Sequence, residues 1–216
     1  MAEPVKLAVL LSGGGTTLEN LFTRIDEGTL DAKVAVVIGS RPDAYGLVRA
    51  ANHGVKAVVL ERKTSKSAAA FSDALNAELD KHDVDLVCLA GFMVMWRMSD
   101  RYLGRVMNIH PALIPAFCGK GYYGHFVHEA VLEYGAKVSG CTVHFADRVY
   151  DHGPVIVQKT VPVLDDDTAE TLAARVFEQE CEAYPEAIQL FAEGRLKIEG
   201  RRVRVLPPGG DRGGRS

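Results

Sequence analysis

Four short apolar runs, separated by amphipathic stretches, limit the fold of this chain more than any other feature of its first half. The runs are Val5–Leu11, Lys33–Ile38, Val55–Leu60 and Val84–Ala90. Each is apolar at consecutive positions rather than at alternate ones, so both faces of the strand it forms must be covered. Between them, Thr16–Ile25 carries Leu18, Leu21, Phe22 and Ile25 at helical spacing. Ala44–Asn52 reads as a second helix, and Ser67–Lys81 sets Ala70, Phe71, Leu75 and Leu79 on one helical face. A β-α-β-α-β-α-β order of this kind predicts a parallel sheet with helices packed over it, a Rossmann-like half.

The second half is less regular. Arg105–Ile109 reads as a short buried strand leading into His110-Pro111, followed by a loop rich in Gly, Tyr and Phe over residues 116–126. A helix is expected over Val127–Tyr134. Strands are expected over Val138–Ala146, with Cys141, Val143 and Phe145 along one face, and over Val155–Val161. Thr168–Glu193 is long and amphipathic, with a kink expected at Pro185, and Leu196–Val205 suggests a hairpin around Gly200. The expected class is α/β: a mostly parallel twisted sheet flanked by helices, Rossmann-like in the N-terminal half and mixed in the C-terminal half. No repeat or linker divides the chain, so one domain is expected over residues 1–206. Residues 207–216, rich in Pro, Gly and Arg, have nothing to bury and are expected to be a disordered tail.

Composition narrows the function. The formal net charge is −3, which argues against a dedicated nucleic-acid binder, since such proteins carry a basic excess to neutralise phosphates. No apolar stretch approaches the ~20 residues needed to span a bilayer, and the N-terminus runs straight into a strand with no room for a signal peptide. The four cysteines include no C-x-x-C pair, so reduced thiols and a cytoplasmic location are expected. Among the seven histidines, His125 and His128 are three apart but have no third ligand in view, and no metal is expected.

Two motifs carry chemistry. Ser12-Gly13-Gly14-Gly15-Thr16-Thr17 joins the first strand to the first helix. Glycines there let backbone N–H groups approach an anion at a helix N-terminus; the alternative is a tight turn with Thr16 or Thr17 capping the helix. The dinucleotide fingerprint is incomplete, because Leu18 replaces its third glycine and Gly39-Ser40-Arg41 stands where an acidic residue would close the second strand. A single phosphate suits the loop better. The second motif is Asn108-Ile109-His110-Pro111, in which the side chains at 108 and 110 share a strand face. An amide and an imidazole together suit oxyanion stabilisation or acid–base work, or else form a structural strand end. Asp151, in Tyr150-Asp151-His152-Gly153-Pro154, could orient and charge His110.

Taken together with Ala90-Gly91-Phe92-Met93, Asn108–Pro115, Val143-His144-Phe145, Asp151–Ile156 and Glu180 ahead of Tyr184-Pro185, these segments resemble the folate-dependent formyltransferases. Within that group they are most similar to the family acting on glycinamide ribonucleotide. The likeness runs from about residue 5 to residue 206. It implies transfer of the formyl group of 10-formyltetrahydrofolate, a co-substrate, to the amine of glycinamide ribonucleotide, a step in purine synthesis. It further implies that Asn108, His110 and Asp151 are the catalytic trio, with protonated His110 and Asn108 facing the oxyanion. Gly13, Gly14, Gly15, Thr16, Thr17 and Glu180 would bind the ribonucleotide, the loop taking its phosphate and Glu180 its ribose. Met93, Val94, Met95, Trp96, Ala146, Asn108 and Asp151 would bind the folate. The resemblance implies no nucleic acid, membrane or metal partner, and a monomer or homodimer.

The sequence departs from that family at the loop, where Gly14 and Thr17 replace common asparagines, at Ala68, where a phosphate-supporting arginine is frequent, and at Val94. Lys66 or Lys120 could supply the missing cation. Three rivals remain: a formyltetrahydrofolate hydrolase, which would usually carry a domain before the glycine loop; a formyltransferase acting on charged tRNA, which would need an RNA-binding domain after the core; and a non-catalytic nucleotide-binding module.

Overall fold

A computed structural model describes residues 3–209, in two compact units whose boundary falls between Met107 and Asn108. The first unit contains β1 (Val5–Leu11), α1 (Thr16–Asp26), β2 (Ala32–Gly39), α2 (Tyr45–Asn52), β3 (Ala57–Val59), α3 (Ala68–Asp80) and β4 (Leu86–Leu89). The dividing line runs through β5 (Val106–His110). The second unit adds α4 (His125–Tyr134), β6 (Val138–Phe145), β7 (Val155–Pro162), α5 (Ala169–Ala192), β8 (Leu196–Glu199) and β9 (Arg202–Val205).

In the first unit the strand order is β3-β2-β1-β4-β5. β1 pairs in parallel with β2 and with β4, and β2 in parallel with β3. This is the doubly wound order that the alternating apolar runs predict, with β1 central and solvent-free from Leu7 to Leu11. Leu18, Leu21 and Phe22 of α1 and Phe71, Leu75 and Leu79 of α3 are all buried, as their helical spacing requires. Ser67 caps α3 by accepting the Ala70 N–H at 3.0 Å.

The order in the second unit is β5-β6-β7-β9-β8. β6 and β7 are antiparallel, β7 and β9 parallel, and β8 and β9 antiparallel around Gly200. The class is therefore α/β, mostly parallel at the N-terminal end with antiparallel strands at the C-terminal end, as the sequence predicts. β6 differs from expectation: its buried stretch includes Ser139, Thr142 and His144 as well as Cys141, Val143 and Phe145. Both of its faces are covered: Ser139 shares the face of Cys141 and Val143, and the second face carries Thr142 and His144. α5 begins with a reciprocal cap between Thr168 and Thr171 and is one helix through buried Pro185. The expected tail falls mostly outside the described residues; of it, residues 207–209 are exposed. Among the described residues no helix is long and apolar enough to cross a membrane.

Candidate active site

β5 brings Asn108 and His110 out on one face, as period-two geometry requires, and His110 is only 4% exposed. Its Nε2–H donates to the carbonyl oxygen of Phe117 at 2.9 Å, while Nδ1 lies 3.6 Å from Asp151 Oδ2. Asn108 Nδ2 is 3.4 Å from Asp151 Oδ1 and 3.2 Å from His144 Nε2. The Gly119 N–H donates to Asp151 Oδ2 at 2.8 Å. The three residues that the resemblance singled out thus converge.

His144, on which the sequence is ambiguous, completes the cluster. It is 1% exposed, and its Nδ1–H donates to the Phe145 carbonyl at 3.0 Å. That bond fixes the tautomer and turns Nε2 toward Asn108 and, at 3.7 Å, Asp151 Oδ1. Two of the residues touching His110 hold unusual backbone: Phe117 at φ 47° and Asp151 at φ 50°. Left-handed backbone outside glycine costs about 1–3 kcal/mol and persists only where neighbours enforce it.

Burial governs the charges. It pushes the His110 imidazole below its ordinary range, and the Asp151 carboxylate and the Phe117 carbonyl offset this only in part. The free imidazole therefore takes up a proton less readily than an exposed histidine. For Asp151, burial is the largest single influence and acts upward. The neighbouring His144 and His110 rings and the Gly119 N–H outweigh it and keep the carboxyl below the usual carboxylate range. Glu180, partly buried on α5, is pushed up to about 8 by burial. A neutral acid there can donate as well as accept a hydrogen bond.

The glycine loop belongs to the first unit. Gly15, not either threonine, is the residue at the head of α1; its φ is 72° and no side chain caps the helix. The loop carbonyls are tied to α2 instead. Gly13 O accepts the Gly46 N–H at 3.1 Å, and Gly14 O accepts Arg49 Nε–H at 3.0 Å. A Cβ on Gly15 would stand 2.6 Å from Gly46 Cα, so the loop and α2 meet backbone to backbone. Arg49 is held in turn by Glu19 Oε2 at 2.8 Å. The sequence reading missed Arg49; a cation on the next helix, far from the loop in sequence, leaves no local signal. Lys66 and Lys120 are both exposed.

Of the expected folate residues, Met93 is 50% exposed, Met95 is exposed, and Val94 and Ala146 are partly so. Trp96 is 4% exposed, donates Nε1–H to Asn76 Oδ1 at 3.0 Å and packs on Tyr102. Buried Ser12 links the glycine loop to this strip, accepting the Met93 N–H at 2.8 Å and lying 2.6 Å from Ser40 Oγ. The second unit also has an open groove of about 630 Å³ between Gln158, Glu186, Leu190 and Arg195, and no residue singled out from the sequence lines it. Among the described residues, no three His, Cys, Asp or Glu side chains could hold a metal ion together.

Comparison with known proteins agrees with this geometry. The family described as formyl transferase matches residues 5–188. The chain is 37% identical to a phosphoribosylglycinamide formyltransferase of Haemophilus influenzae over 90% of both chains. It is 39% identical to a trifunctional purine biosynthetic protein, adenosine-3, of Gallus gallus, over 90% of this chain but 19% of that protein's length. The crystal structure of glycinamide ribonucleotide transformylase 1 from Symbiobacterium toebii superposes with a TM-score of 0.89 at 46% identity, covering 96% of each chain.

Proposed function

The chain belongs to the formyl transferase family, and from that premise we propose that it moves the formyl group of 10-formyltetrahydrofolate to the amine of glycinamide ribonucleotide, the step its relatives perform in purine synthesis. The observation that carries this reading is the convergence of Asn108, His110 and Asp151, which lie within 3.6 Å of one another through Asp151.

In this reading the amine nitrogen attacks the formyl carbon, and the carbonyl oxygen takes up negative charge. The Asn108 amide and the Nδ1–H that His110 gains on protonation are the donors for that oxygen, and a lost donor of this kind costs about 3 kcal/mol of barrier. Charge building beside a buried imidazole raises its proton affinity, so His110 becomes cationic as the intermediate forms. Asp151, already ionised, balances it. The proton released by the attacking amine passes through Asp151 and His110, directly or by water, to the folate nitrogen as the carbon–nitrogen bond breaks. The amine becomes a formamide and the folate leaves as tetrahydrofolate.

The glycine loop, with Gly13–Thr17 N–H groups uncapped and its carbonyls tied to α2, is assigned the phosphate. Glu180 is assigned the ribose hydroxyls, and Met93–Met95 with Ala146 the pterin. The same reading makes the enzyme a cytoplasmic monomer or homodimer, and four free cysteines suit a reducing compartment.

An assay with 10-formyltetrahydrofolate, with and without glycinamide ribonucleotide, tests the function. Formyl transfer that requires the ribonucleotide is expected. Formate release without it would make the protein a hydrolase, and ligand binding without turnover would make it a binding module.

A further inference from the structure

We propose that His152 and Arg201 are positioning residues that brace the loop carrying Asp151. This rests on the formyl-transfer reading above. The loop connects β6 to β7 and is closed at its base by the Phe145 N–H donating to the Pro154 carbonyl at 2.9 Å. Asp151 stands in it at φ 50°, a conformation that an aspartate leaves unless it is held. Gly119 holds its side chain from one direction. Within the loop itself, the hold comes from its neighbour.

His152 Nδ1 lies 2.8 Å from Asp147 Oδ2, and the other carboxylate oxygen of Asp147 accepts the Val149 N–H at 2.7 Å. Arg201 Nη1 lies 3.1 Å from His152 Nε2 and 3.4 Å from Nδ1, so the guanidinium rests on the face of the imidazole. A carboxylate only accepts, so Nδ1 carries the proton toward Asp147. The contacts from Arg201 through His152 to Asp147 tie the second residue of the loop to its seventh and anchor it to the turn between β8 and β9. The sheet makes this possible: β7 and β9 pair in parallel with Val155 opposite Arg202, which brings the preceding Arg201 beside the start of β7.

Arg201 lies beyond residues 5–188, the segment that matches the family, so the brace is not part of what defines the family. The groups in it are largely exposed, and exposed pairs add little to global stability. Its effect falls instead on where Asp151 sits relative to His110.

The test compares His152→Ala, Arg201→Ala and Arg201→Lys with the unaltered protein. Either alanine variant is expected to lower kcat about tenfold, the scale of a small misplacement of a reacting group. KM for the ribonucleotide should stay within about twofold and Tm within about 2 °C, as for an exposed contact. Arg201→Lys keeps a cation over the His152 ring and should restore most of kcat, and the double alanine variant should lose no more than either single one. Nitrogen NMR of the histidine-labelled protein should show His152 protonated at Nδ1. Alanine variants with unchanged kcat, a lysine variant no better than alanine, or the opposite tautomer would each overturn the brace. If the unaltered protein transfers no formyl group, the functional reading fails, and the tautomer still decides whether the brace exists.

Discussion

The His110 imidazole faces the Asp151 carboxylate across 3.6 Å, yet its proton affinity is set by burial more than by that charge. In the mechanism proposed above it is His110 that gains charge during reaction, beside an Asp151 that is ionised throughout. His110→Ala should therefore reduce kcat by a hundredfold or more, the loss of about 3 kcal/mol of transition-state stabilisation, while ribonucleotide affinity changes by no more than a few fold. Single-turnover kinetics with a separate binding titration checks both halves. Asp151→Asn should also lower kcat strongly, because a buried His110 without its counter-ion takes up a proton less readily still.

Arg49 joins the glycine loop to Glu19. Arg49→Ala should free the Gly14 carbonyl to turn and spoil the array of N–H groups. KM for the ribonucleotide should rise about tenfold, since hydrogen bonds to charged groups contribute about 1.5–3 kcal/mol, with kcat little altered. Steady-state kinetics at varied ribonucleotide checks this; a fall in kcat at unchanged KM would place the residue's effect elsewhere.

Gly15→Ala should be costly twice over. A side chain at φ 72° is strained, and its Cβ would stand 2.6 Å from Gly46 Cα, an atom of the backbone that cannot swing aside. A loss of about 1–3 kcal/mol in urea denaturation is expected from the backbone strain, together with a higher KM for the ribonucleotide.

His128 lies buried on α4 with Nδ1 unsatisfied, and burial, with His125 and His110 nearby, pushes it down to about 4. The unfolded chain takes up this proton near the ordinary value of 6.5 and the native chain only near 4. Stability is thus fully present above the ordinary value and is lost as pH falls through the window between the two, by roughly 3 kcal/mol. His110, shifted in the same direction, adds to the effect. His128→Phe should flatten the dependence of Tm on pH across that window; an unchanged slope would exclude His128 as its source.

Much of this was legible in the sequence where one period dominates. β1 matches its apolar run residue for residue, and α1 and α3 bury the faces their spacing marks. β3 shortens to Ala57–Val59, because residues with one partner strand at a sheet edge gain little from pairing beyond it. α4 starts at His125 rather than Val127 because Gly124, at φ 52°, ends the loop before it. The same contrast holds in the site. Asn108 and His110 follow from alternation along one strand. Asp151 emerged only through family resemblance, since a loop residue reaching a distant strand leaves no periodic trace. Arg49 and Arg201 were missed for the same reason, and an aromatic such as Trp96, next to an exposed strip, looks identical in sequence whether it faces in or out.

Ser12 contributes one hydroxyl, out of reach of water, on which three stretches of the first unit depend. It accepts the Met93 N–H, shares a hydrogen bond with Ser40, and sits directly before Gly13. On the assignments proposed above, with the phosphate at the loop and the pterin at the strip, a shift of the loop pulls on the strip through this one hydroxyl. By thermodynamic reciprocity, occupancy of the strip then alters the loop's grip to the same extent.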